Sequence, residues 1–519
     1  MLLKYLCTFF KICHNEGINT MNLKQRSSGV LLHISSLPSP YGIGTLGKEA
    51  YQFVDFLKDC HVKIWQMLPL NVTSYGDSPY QSPSSNGLNY YFIDLRVLVE
   101  KGLLTQEEVE ACDMGDNPQR VNYGKLFNNR IPLLKLAFSR FDKKEKAFVD
   151  FVNKGEYHDF AFFMTLKSLN GFAPWYQWED KYRNYTPLLE IEMRQKHSDL
   201  YLFYQWTQYE FLLEFNQLKQ YVHDNGIVLL GDMPLYLAFD SVEAYKYPQL
   251  FLFDEKHNPT VVAGVPPDYF SVDGQLWGNP IYDWDYMKKT GYQWFNERIE
   301  KNLKVFDLLR IDHFRGFSSY FTIPFGMTNA RIGQWVKGPG MDFFKDKTDL
   351  PIIAEDLGDL DEDVYTLLRE STYPGMKVLE FAFDGDKDNP HKPTNSTENF
   401  CCYTGTHDNM PLRGYLEQLD EQALSSYRND LKEQCKLYDV DYRGDDVVSL
   451  CLTTCSMAYA SPCRFAVLPL QDLLALGANT RMNLPSSLSE DNWSYRAKKE
   501  DFSEDLKQFI QSNIERYHR

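Results

Sequence analysis

The chain has 519 residues, of which 43% are hydrophobic and 24% are charged, a balance that is too apolar for a disordered protein. Its 54 basic and 71 acidic side chains give a formal charge of −17, which excludes a nucleic-acid partner because the phosphates would be repelled. The ten cysteines have no C-x-x-C pair and no other zinc-site spacing, so reduced thiols in a cytoplasmic protein are predicted.

The N-terminus resembles a signal sequence without fulfilling its requirements. Its apolar run is interrupted by Lys4 and Lys11, and no small-residue cleavage site follows. The run is also far shorter than the roughly 20 residues that a membrane span needs, and no later segment reaches that length. We interpret residues 1–20 as an N-terminal extension and residues 21–519 as the catalytic unit, and we predict no membrane partner.

Eight short apolar runs along the chain are typical of parallel strands that are buried on both faces. Helical stretches lie between them, and no G-x-G-x-x-G motif follows any of them, which favours a closed (β/α)8 TIM barrel over an open doubly wound sheet. The predicted strands are residues 29–37, 63–70, 226–236, 305–314, 351–357, 376–383, 400–408 and 464–470.

Apolar residues at helical spacing indicate the crossover helices of this barrel. Three such stripes stand after the first strand, before the third and after the fifth. They consist of Ala50, Phe53, Val54 and Leu57; of Leu202, Trp206, Tyr209 and Leu213; and of Val364, Leu367 and Leu368. Asn225-Gly226 is predicted to stop the second helix in a left-handed turn. Two connections are too long for simple loops, so large helical insertions are expected at about 71–223, between strands two and three, and at about 238–304, between strands three and four.

Acidic residues stand at the carboxyl ends of four predicted strands, where barrel enzymes carry their catalytic groups. They are Asp232, Asp312, Glu355 and Asp408. Period-two alternation places Arg310 on the same face as Asp312, where its positive charge favours the ionised carboxylate. Retaining glycoside cleavage needs two carboxyl groups roughly 5 Å apart, and neighbouring strands lie about 4.8 Å apart. Acids at the ends of strands four and five therefore suit this chemistry.

Two other interpretations of these acids remain open at this stage. A single acid at a strand end is usually a helix cap or a solvated charge. Asp, Glu and His are also ligands of hydrolase metals, but Asp312 and His313 point to opposite faces of a regular strand, and no HxH or HExxH occurs. We predict no metal and no cofactor, and we interpret His33 and His313, which lie in apolar strands, as structural.

The chain closely resembles the amylomaltase family, the 4-α-glucanotransferases of the α-amylase clan, from about residue 29 to residue 496. GVPPDYF and QLWGNP, between strands three and four, are the most specific motifs of the resemblance. The full set is GVLLHISSLPSPYGIGTLG, WQMLPL, YGDSPYQS, GDMPLYLAFDS, VAGVPPDYFSVDGQLWGNPIYDW, RIDHFRGF, GQWVKGPG, IIAEDLG, YPGMKVLEFAFD, YTGTHDN and RMNLP.

The resemblance implies roles that agree with the strand argument. Asp312 matches the nucleophile, Glu355 the acid/base and Asp408 a third carboxylate that holds sugar hydroxyls. The remaining positions match substrate-binding residues, and several of their aromatic rings lie in Gly/Pro-rich loops, where a flat apolar face suits a glucose unit. These positions are Tyr75, Tyr80, Asp232, Asp268, Tyr269, Phe270, Trp277, Arg310, His407 and Asn483.

The implied reaction is transfer of a segment of an α-1,4-glucan (maltooligosaccharide, starch or glycogen) to the 4-hydroxyl of glucose or another glucan, with retention. Three alternatives use the same fold: an α-amylase-like hydrolase with these acids, an inactive glucan-binding protein, and a metal-dependent hydrolase. Four loops depart from the family pattern without touching the catalytic positions. They are Pro38-Ser39, 87–90, 485–487 and 491–493.

Overall fold

The computed structural model describes residues 25–267, 272–358 and 360–519. The strands of this part of the chain are β1 Ser27–Leu31, β2 Ile64–Gln66, β3 Val228–Met233, β4 Val261–Val265, β5 Gln275–Pro280, β6 Leu308–Ile311, β7 Ser319–Pro324, β8 Gln334–Lys337, β9 Ile352–Ala354, β10 Gly375–Val378, β11 Phe400–Tyr403 and β12 Phe465–Pro469.

The α-helices of five or more residues are α1 Lys48–Asp59, α2 Leu95–Glu100, α3 Gln106–Glu110, α4 Ile131–Arg140, α5 Lys146–Lys154, α6 His158–Leu169, α7 Pro187–Lys196, α8 Ser198–Asp224, α9 Val242–Lys246, α10 Trp284–Lys289, α11 Gln293–Val305, α12 Glu362–Ser371, α13 Leu412–Gln418, α14 Glu421–Tyr438, α15 Val447–Ala460 and α16 Glu504–Tyr517. Single turns of α-helix are Tyr123–Lys125, Asp180–Arg183, Met341–Phe344 and Leu470–Leu473, and a π-helical turn is Leu126–Arg130. The 3-10 turns are Ile34–Ser36, Tyr90–Phe92, Trp175–Gln177, Pro248–Leu250, Phe314–Phe317, Leu379–Phe381, Pro393–Asn395, Ala478–Thr480 and Lys499–Asp501.

Eight of the strands form one parallel sheet in the order β10-β11-β12-β1-β2-β3-β6-β9. The two ends of this sheet meet, because the Ala354 amide at the end of β9 donates 2.8 Å to the Pro374 carbonyl just before β10. The predicted (β/α)8 TIM barrel is confirmed, and each of the eight predicted runs overlaps a barrel strand. The runs overshoot at their carboxyl ends, since the chain leaves the sheet there for the loops that build the barrel mouth.

The helix predictions are confirmed with one correction. The apolar stripe of α1 is buried, as are the predicted residues of α12. Helix α8 exists and ends before Gly226, whose φ of 70° is the left-handed stop that was expected. In that helix, however, Leu213 is 36% exposed, which makes its place in the predicted stripe wrong. A helix of 27 residues packs against several elements, and its buried side therefore does not follow one straight stripe.

A second sheet was not predicted. Strands β4, β5, β7 and β8 pair antiparallel in the order β5-β4-β7-β8, which joins the connection after β3 to the connection after β6. One face carries a small apolar cluster that includes Val262, Phe321 and Ile323. The strands are short, and β4 pairs β5 with an irregular register, so their sequence shows little alternation. This sheet holds Trp277 over the barrel mouth.

The two long connections contain the helices that the sequence indicated. The first runs from β2 to β3 and holds α2 to α8, whereas the second, from β3 to β6, holds β4 and β5 in addition to α9, α10 and α11. Their division into subdomains, with boundaries at about 71–223 and 238–304, stays a proposal, and residues 1–20 lie outside the described residues. No helix in the described ranges is long and apolar enough to cross a membrane.

Substitution of Gly231 by alanine is expected to destabilise the barrel. A Cβ atom at this position in β3 would stand 2.1 Å from Cδ2 of Phe306, a buried ring before β6. Overpacking of this kind costs about 1–3 kcal/mol, so Gly231→Ala is expected to lower the free energy of unfolding by that amount in denaturant titration. Gly124→Ala is the matched control, because its Cβ meets nothing closer than 3.5 Å. Equal stability of the two variants would contradict the packing described.

Candidate active site

A buried ion pair forms the floor of the barrel mouth. Asp232 at the end of β3 is the register partner of Arg310 in β6, and Nη1 of Arg310 donates to both carboxylate oxygens, at 2.8 and 2.7 Å. Both side chains are at most 5% exposed. The Tyr80 hydroxyl donates to the same carboxylate at 2.9 Å. Charges this deep need paired partners and hydrogen bonds, and these contacts supply both.

Asp312 follows β6 directly and lies beside the same guanidinium. Its Oδ1 is 3.0 Å from Nη2 of Arg310, which confirms the prediction that the two side chains share a face. The side chain keeps 29% of its surface exposed, so it can be reached from the cleft. Enclosure by the protein raises the pKa of Asp312 to about 6, with Arg310 opposing the shift and Asp232 adding to it.

Glu355 follows β9 and is 9% exposed. Its carboxylate accepts hydrogen bonds from the backbone amides of His313 (2.7 Å) and Leu357 (2.8 Å). Burial raises the pKa of Glu355 to about 7; Arg310 opposes this rise and the charge of Asp312 adds to it. The side chain is therefore suited to hold a proton near neutral pH, while its orientation is fixed by two backbone donors.

The neighbouring acid Asp356 points away from the mouth, as period-two alternation predicts. It accepts from the Met376 amide at 2.6 Å, and a Cβ atom on Gly375 would stand 2.6 Å from its Oδ2. Adjacent acids thus have different functions: Glu355 faces the cleft, and Asp356 ties β9 to β10.

Asp312 and Glu355 stand at the ends of adjacent parallel strands. The register pairs Ile311 with Ala354, and it continues past the strands, because the Glu355 amide donates to the Ile311 carbonyl at 3.0 Å. Neighbouring strands are about 4.8 Å apart, close to the roughly 5 Å that separates the carboxyl groups of a retaining glycosidase. The arrangement can provide a nucleophile and a proton donor on one glycosidic bond.

The loop after β11 brings the third predicted acid to this site. Asp408 accepts from Nδ2 of Asn483 at 2.6 Å, and its Oδ1 is 3.4 Å from Nε2 of His407. Asn483 also donates its backbone amide to the His407 carbonyl at 3.1 Å. Asp408 is 43% exposed and can therefore accept further hydrogen bonds from a ligand. The structure thus brings Asp408, His407 and Asn483 together.

Three rings stack beside these carboxylates, and one of them was missed by the sequence reasoning. Tyr80 and His407 lie parallel, with centroids 5.0 Å apart and an interplanar angle of 11°. Trp493 packs against both, at 5.6 and 5.9 Å. Trp493 has a left-handed φ of 62°, and it belongs to one of the segments noted only as a departure from the family pattern. An aromatic residue within such a motif was the available signal.

Trp277 and His313 cover the side of the site near Glu355. Their rings form an edge contact at 4.8 Å, and burial lowers the pKa of His313 to about 3, so this histidine is neutral. His33 is likewise buried, with a pKa lowered to about 3, and its Nδ1 accepts from the Leu68 amide at 3.2 Å. The prediction that both histidines lie in strands is wrong, because His33 precedes the turn Ile34–Ser36 after β1, and His313 has a left-handed φ of 52° after β6. Their structural role stays a prediction.

The other predicted residues extend outward from the centre. Tyr75 stands on the loop that leads to Tyr80, with 90% of its surface exposed. Asp268, Tyr269 and Phe270 lie outside the described residues.

Two of the segments that depart from the family pattern contain a helix cap and a left-handed residue. Asn89 caps the 3-10 turn Tyr90–Phe92 by accepting from the Tyr91 amide at 3.0 Å. Ser486 adopts a left-handed φ of 58°, a conformation that costs a non-glycine residue about 1–2 kcal/mol.

Across the described residues, no group of three or more His, Cys, Asp or Glu side chains is arranged to hold a metal ion.

Comparison with known proteins identifies relatives that span nearly the whole chain. A family model described as 4-alpha-glucanotransferase matches residues 32–501. The 4-alpha-glucanotransferase of Clostridium butyricum is 41% identical over 487 residues, which cover 92% of this chain and 97% of that protein. The Aquifex aeolicus 4-alpha-glucanotransferase is 39% identical over 502 residues, covering 95% of this chain and 99% of that protein.

Solved structures of two amylomaltases are similar to the structure of this chain. Amylomaltase from Streptococcus agalactiae in complex with acarbose superposes with a TM-score of 0.90 at 39% identity, covering 95% of this chain and all of that chain. The amylomaltase of Corynebacterium glutamicum has a TM-score of 0.76 at 17% identity, covering 97% of this chain and 77% of that one, and it shows the shared fold alone.

Removal of one partner of the buried pair is expected to destabilise the protein strongly. Arg310→Met leaves the Asp232 carboxylate buried without its cation, and such losses cost about 3–5 kcal/mol of unfolding free energy. The double variant Asp232→Asn, Arg310→Met is expected to recover part of this loss in denaturant titration. Arg331→Met is the control, because its ion pair with Asp273 is more than half exposed and is worth about 1 kcal/mol or less. Equal losses in both single variants would contradict the pairing.

Proposed function

Because this chain belongs to the 4-alpha-glucanotransferase family, we propose that it cuts α-1,4-glucans and passes the cut segment to the 4-hydroxyl of glucose or of another glucan. The observation that carries this proposal is the placement of Asp312 and Glu355 at the ends of adjacent strands, with Arg310 beside Asp312. Family membership indicates the type of reaction, and the geometry supports the roles that we propose for the side chains.

Asp312 is the nucleophile of the first step. Its carboxylate attacks the anomeric carbon, the glycosidic bond breaks, and Glu355 gives its proton to the departing 4-oxygen. Arg310 limits the rise of the Asp312 pKa and so favours the attacking carboxylate, whereas burial raises the pKa of Glu355 to about 7, which lets it carry a proton near neutral pH. The product of this step is a glycosyl ester on Asp312 together with a shortened glucan.

The second step reverses the chemistry with a new sugar. Glu355, now ionised, removes the proton from the 4-hydroxyl of an acceptor, whose oxygen attacks the anomeric carbon and displaces Asp312. Two inversions restore the α configuration. The backbone amides of His313 and Leu357, which hold the Glu355 carboxylate, stabilise its charged form between the two steps.

The residues around the two acids hold the sugar at the cleavage point. Asp408 and His407 are placed to bind hydroxyl groups, and Asp408 remains accessible although Asn483 fixes one of its oxygens. The Tyr80 ring provides an apolar face beside Asp232. Trp277 and Tyr75 are proposed contacts for glucose units further along the chain. Asp268, Tyr269 and Phe270 are proposed to form a loop over the cleft.

Transfer prevails over hydrolysis where an acceptor sugar reaches the glycosyl-enzyme before water does. Membership of a transferase family favours this outcome over an α-amylase-like hydrolase. The complex of the Streptococcus agalactiae relative with acarbose supports a glucan-like ligand for the cleft. Starch, glycogen or maltodextrin as the source of the glucan, glucose as an acceptor and a cytoplasmic location stay predictions.

Incubation with maltotriose tests the reaction. We expect glucose together with maltopentaose and longer maltodextrins, with no net increase in reducing ends, when products are followed by chromatography and a reducing-end assay. Reducing ends that climb without elongation would identify a hydrolase. The Asp312→Asn protein serves as the control, and we expect a loss of at least about a thousandfold, because loss of a nucleophile removes the covalent route. Glucan binding without turnover by the wild-type protein would support a non-catalytic role.

The pH dependence of kcat/KM is expected to be bell-shaped. Activity rises with pH as Asp312 loses its proton, because only the carboxylate attacks, and the pKa of about 6 places this limb on the acid side. Activity falls as pH rises through about 7, because Glu355 then lacks the proton for the leaving group. The two limbs belong to the coupled pair. Initial rates of maltotriose disproportionation in buffers of constant ionic strength measure them, and a flat profile between about pH 5 and pH 9 would contradict the assignment.

A further inference from the structure

A further buried carboxyl group lies beneath the loop that presents Asp408. Glu380 is in the 3-10 turn that follows β10, at the carboxyl end of the barrel, and it is 6% exposed. Its backbone amide donates to the Thr404 carbonyl at 3.0 Å, which joins this turn to the chain after β11. Its side-chain Oε1 accepts from Nδ2 of Asn409 at 3.1 Å. The mechanism proposed above gives this acid no role.

Asn409 connects Glu380 to the loop that carries Asp408, through hydrogen bonds with Thr406. Its Oδ1 accepts from the Thr406 amide at 2.9 Å and from the Thr406 hydroxyl at 2.7 Å. The Asp408 amide in turn donates to the same hydroxyl oxygen at 3.3 Å. A continuous series of hydrogen bonds therefore runs from the buried Glu380 carboxyl through Asn409 and Thr406 to the backbone of Asp408.

We propose that Glu380 is a positioning residue for glucan transfer, which as a neutral acid anchors Asn409 and thereby the loop that carries His407 and Asp408. This inference rests on the proposed function, in which those two residues hold the sugar at the cleavage point. Glu380 itself does not touch the reacting atoms.

The surroundings of Glu380 oppose a negative charge. Its Oε2 is buried and has no hydrogen-bond partner among the described residues. A Cβ atom on Gly405 would stand 3.6 Å from this oxygen and 3.6 Å from Oδ2 of Asp472, so the two acids approach the same glycine. Asp472 is occupied as an acceptor, from the Thr404 hydroxyl at 2.6 Å and from the Leu412 amide at 2.7 Å. It offers Glu380 no proton and no cation.

The other titratable groups near Glu380 do little to stabilise a negative charge on it. Arg481 is the nearby cation, but its Nε and Nη2 donate to the backbone carbonyls of Asn483 and Asp408. Tyr415 and Tyr427 face Glu380 from α13 and α14, and the pKa of each hydroxyl is raised above its usual value, chiefly by burial. Burial raises the pKa of Glu380 to about 8; Asn409 and Arg481 oppose the rise, and Asp472 adds to it.

The proton on Glu380 thus determines whether the loop keeps its position. At neutral pH the acid is uncharged and can stay buried against Asn409. As pH rises through about 8, the carboxyl ionises beside Asp472. Asn409 favours the charged form, but Oε2 has no donor among the described residues and Asp472 repels the charge, so the carboxylate has to move toward water. This movement of the side chain breaks the contact with Asn409 and releases Thr406. Above this pH, two deprotonations reduce activity, that of Glu355 and that of Glu380.

The decisive measurement is how steeply kcat/KM falls at alkaline pH, because the steepness depends on how many groups lose a proton. For maltotriose disproportionation, we expect wild-type kcat/KM to fall more steeply than tenfold per pH unit between about pH 7.5 and pH 9. The whole fall is expected to be about tenfold larger than loss of the Glu355 proton alone allows, because ionised Glu380 breaks the series. Glu380→Gln keeps an oxygen that accepts from Asn409 but cannot ionise, so its slope is expected to be about tenfold per unit. Its kcat/KM at pH 7 is expected to remain within about twofold of wild type. Identical slopes in the two proteins would overturn the proposal.

Glu243→Gln is the matched control. Glu243 is also a buried acid with a pKa raised chiefly by burial, but its carboxylate accepts from Ser85, away from the His407–Asp408 loop. We expect its alkaline slope to equal that of wild type. A slope reduced equally in both variants would show that buried acids in general affect the limb, and would overturn a specific role for Glu380.

A double-mutant cycle tests the series of hydrogen bonds separately from pH. Glu380→Ala and Asn409→Ala are each expected to lower kcat/KM at pH 7 about tenfold, and the double variant to lose no more than either, because both break the same series. Additive losses, or no loss, would overturn the proposal. Thermal unfolding of each variant confirms that it is folded. If the wild-type protein failed to elongate maltotriose, the proposed function itself would fail, an outcome distinct from an unchanged slope.

Discussion

The active site depends on one buried positive charge, that of Arg310, which pairs with two carboxylates. Arg310 lies almost without exposure at the floor of the mouth, where Asp232 neutralises it with two hydrogen bonds. Its other terminal nitrogen reaches Asp312 at 3.0 Å. A single guanidinium, whose planar group can serve two carboxylates, therefore fixes the end of β3 against β6 and favours the ionised form of the proposed nucleophile. Without Asp232 the cation would be paired with the nucleophile alone, and its burial would be costly.

The carboxyl groups of the mouth are distinguished by their surroundings, although their chemistry is the same. Asp312 faces a cation and the cleft, and Glu355 faces two backbone donors with little exposure. Asp356 satisfies the backbone of the next strand, and Glu380 has one oxygen without a partner among the described residues. The pattern follows the general rule that burial and neighbouring charge separate the pKa values of acids that work together. One barrel can thereby hold the proposed nucleophile, the proposed proton donor, a structural anchor and the proposed neutral support.

Much of this architecture could be predicted from the sequence because it depends on local patterns. Apolar runs predicted all eight barrel strands, and the alternation of Arg310 and Asp312 was correct because Arg310 lies in β6 and Asp312 follows it directly. The antiparallel sheet was not found, since its strands are short and pair across distant segments. Trp493 and Glu380 were missed because their partners, Tyr80 and Asn409, are remote in sequence. Leu213 was misassigned because α8 has several buried sides.

The central claim is that Asp312 becomes covalently bonded to the sugar, while Glu355 donates a proton in the first step and removes one in the second. Incubation of the Glu355→Gln protein with α-maltotriosyl fluoride tests it, because fluoride leaves without a proton and the second step then lacks its base. We predict that the glycosyl-enzyme accumulates, that peptide mapping by mass spectrometry finds the maltotriosyl mass on Asp312, and that Asp312→Asn in the same background removes it. A maltotriosyl group on another residue, or release of fluoride without any labelled peptide in either protein, would contradict this account.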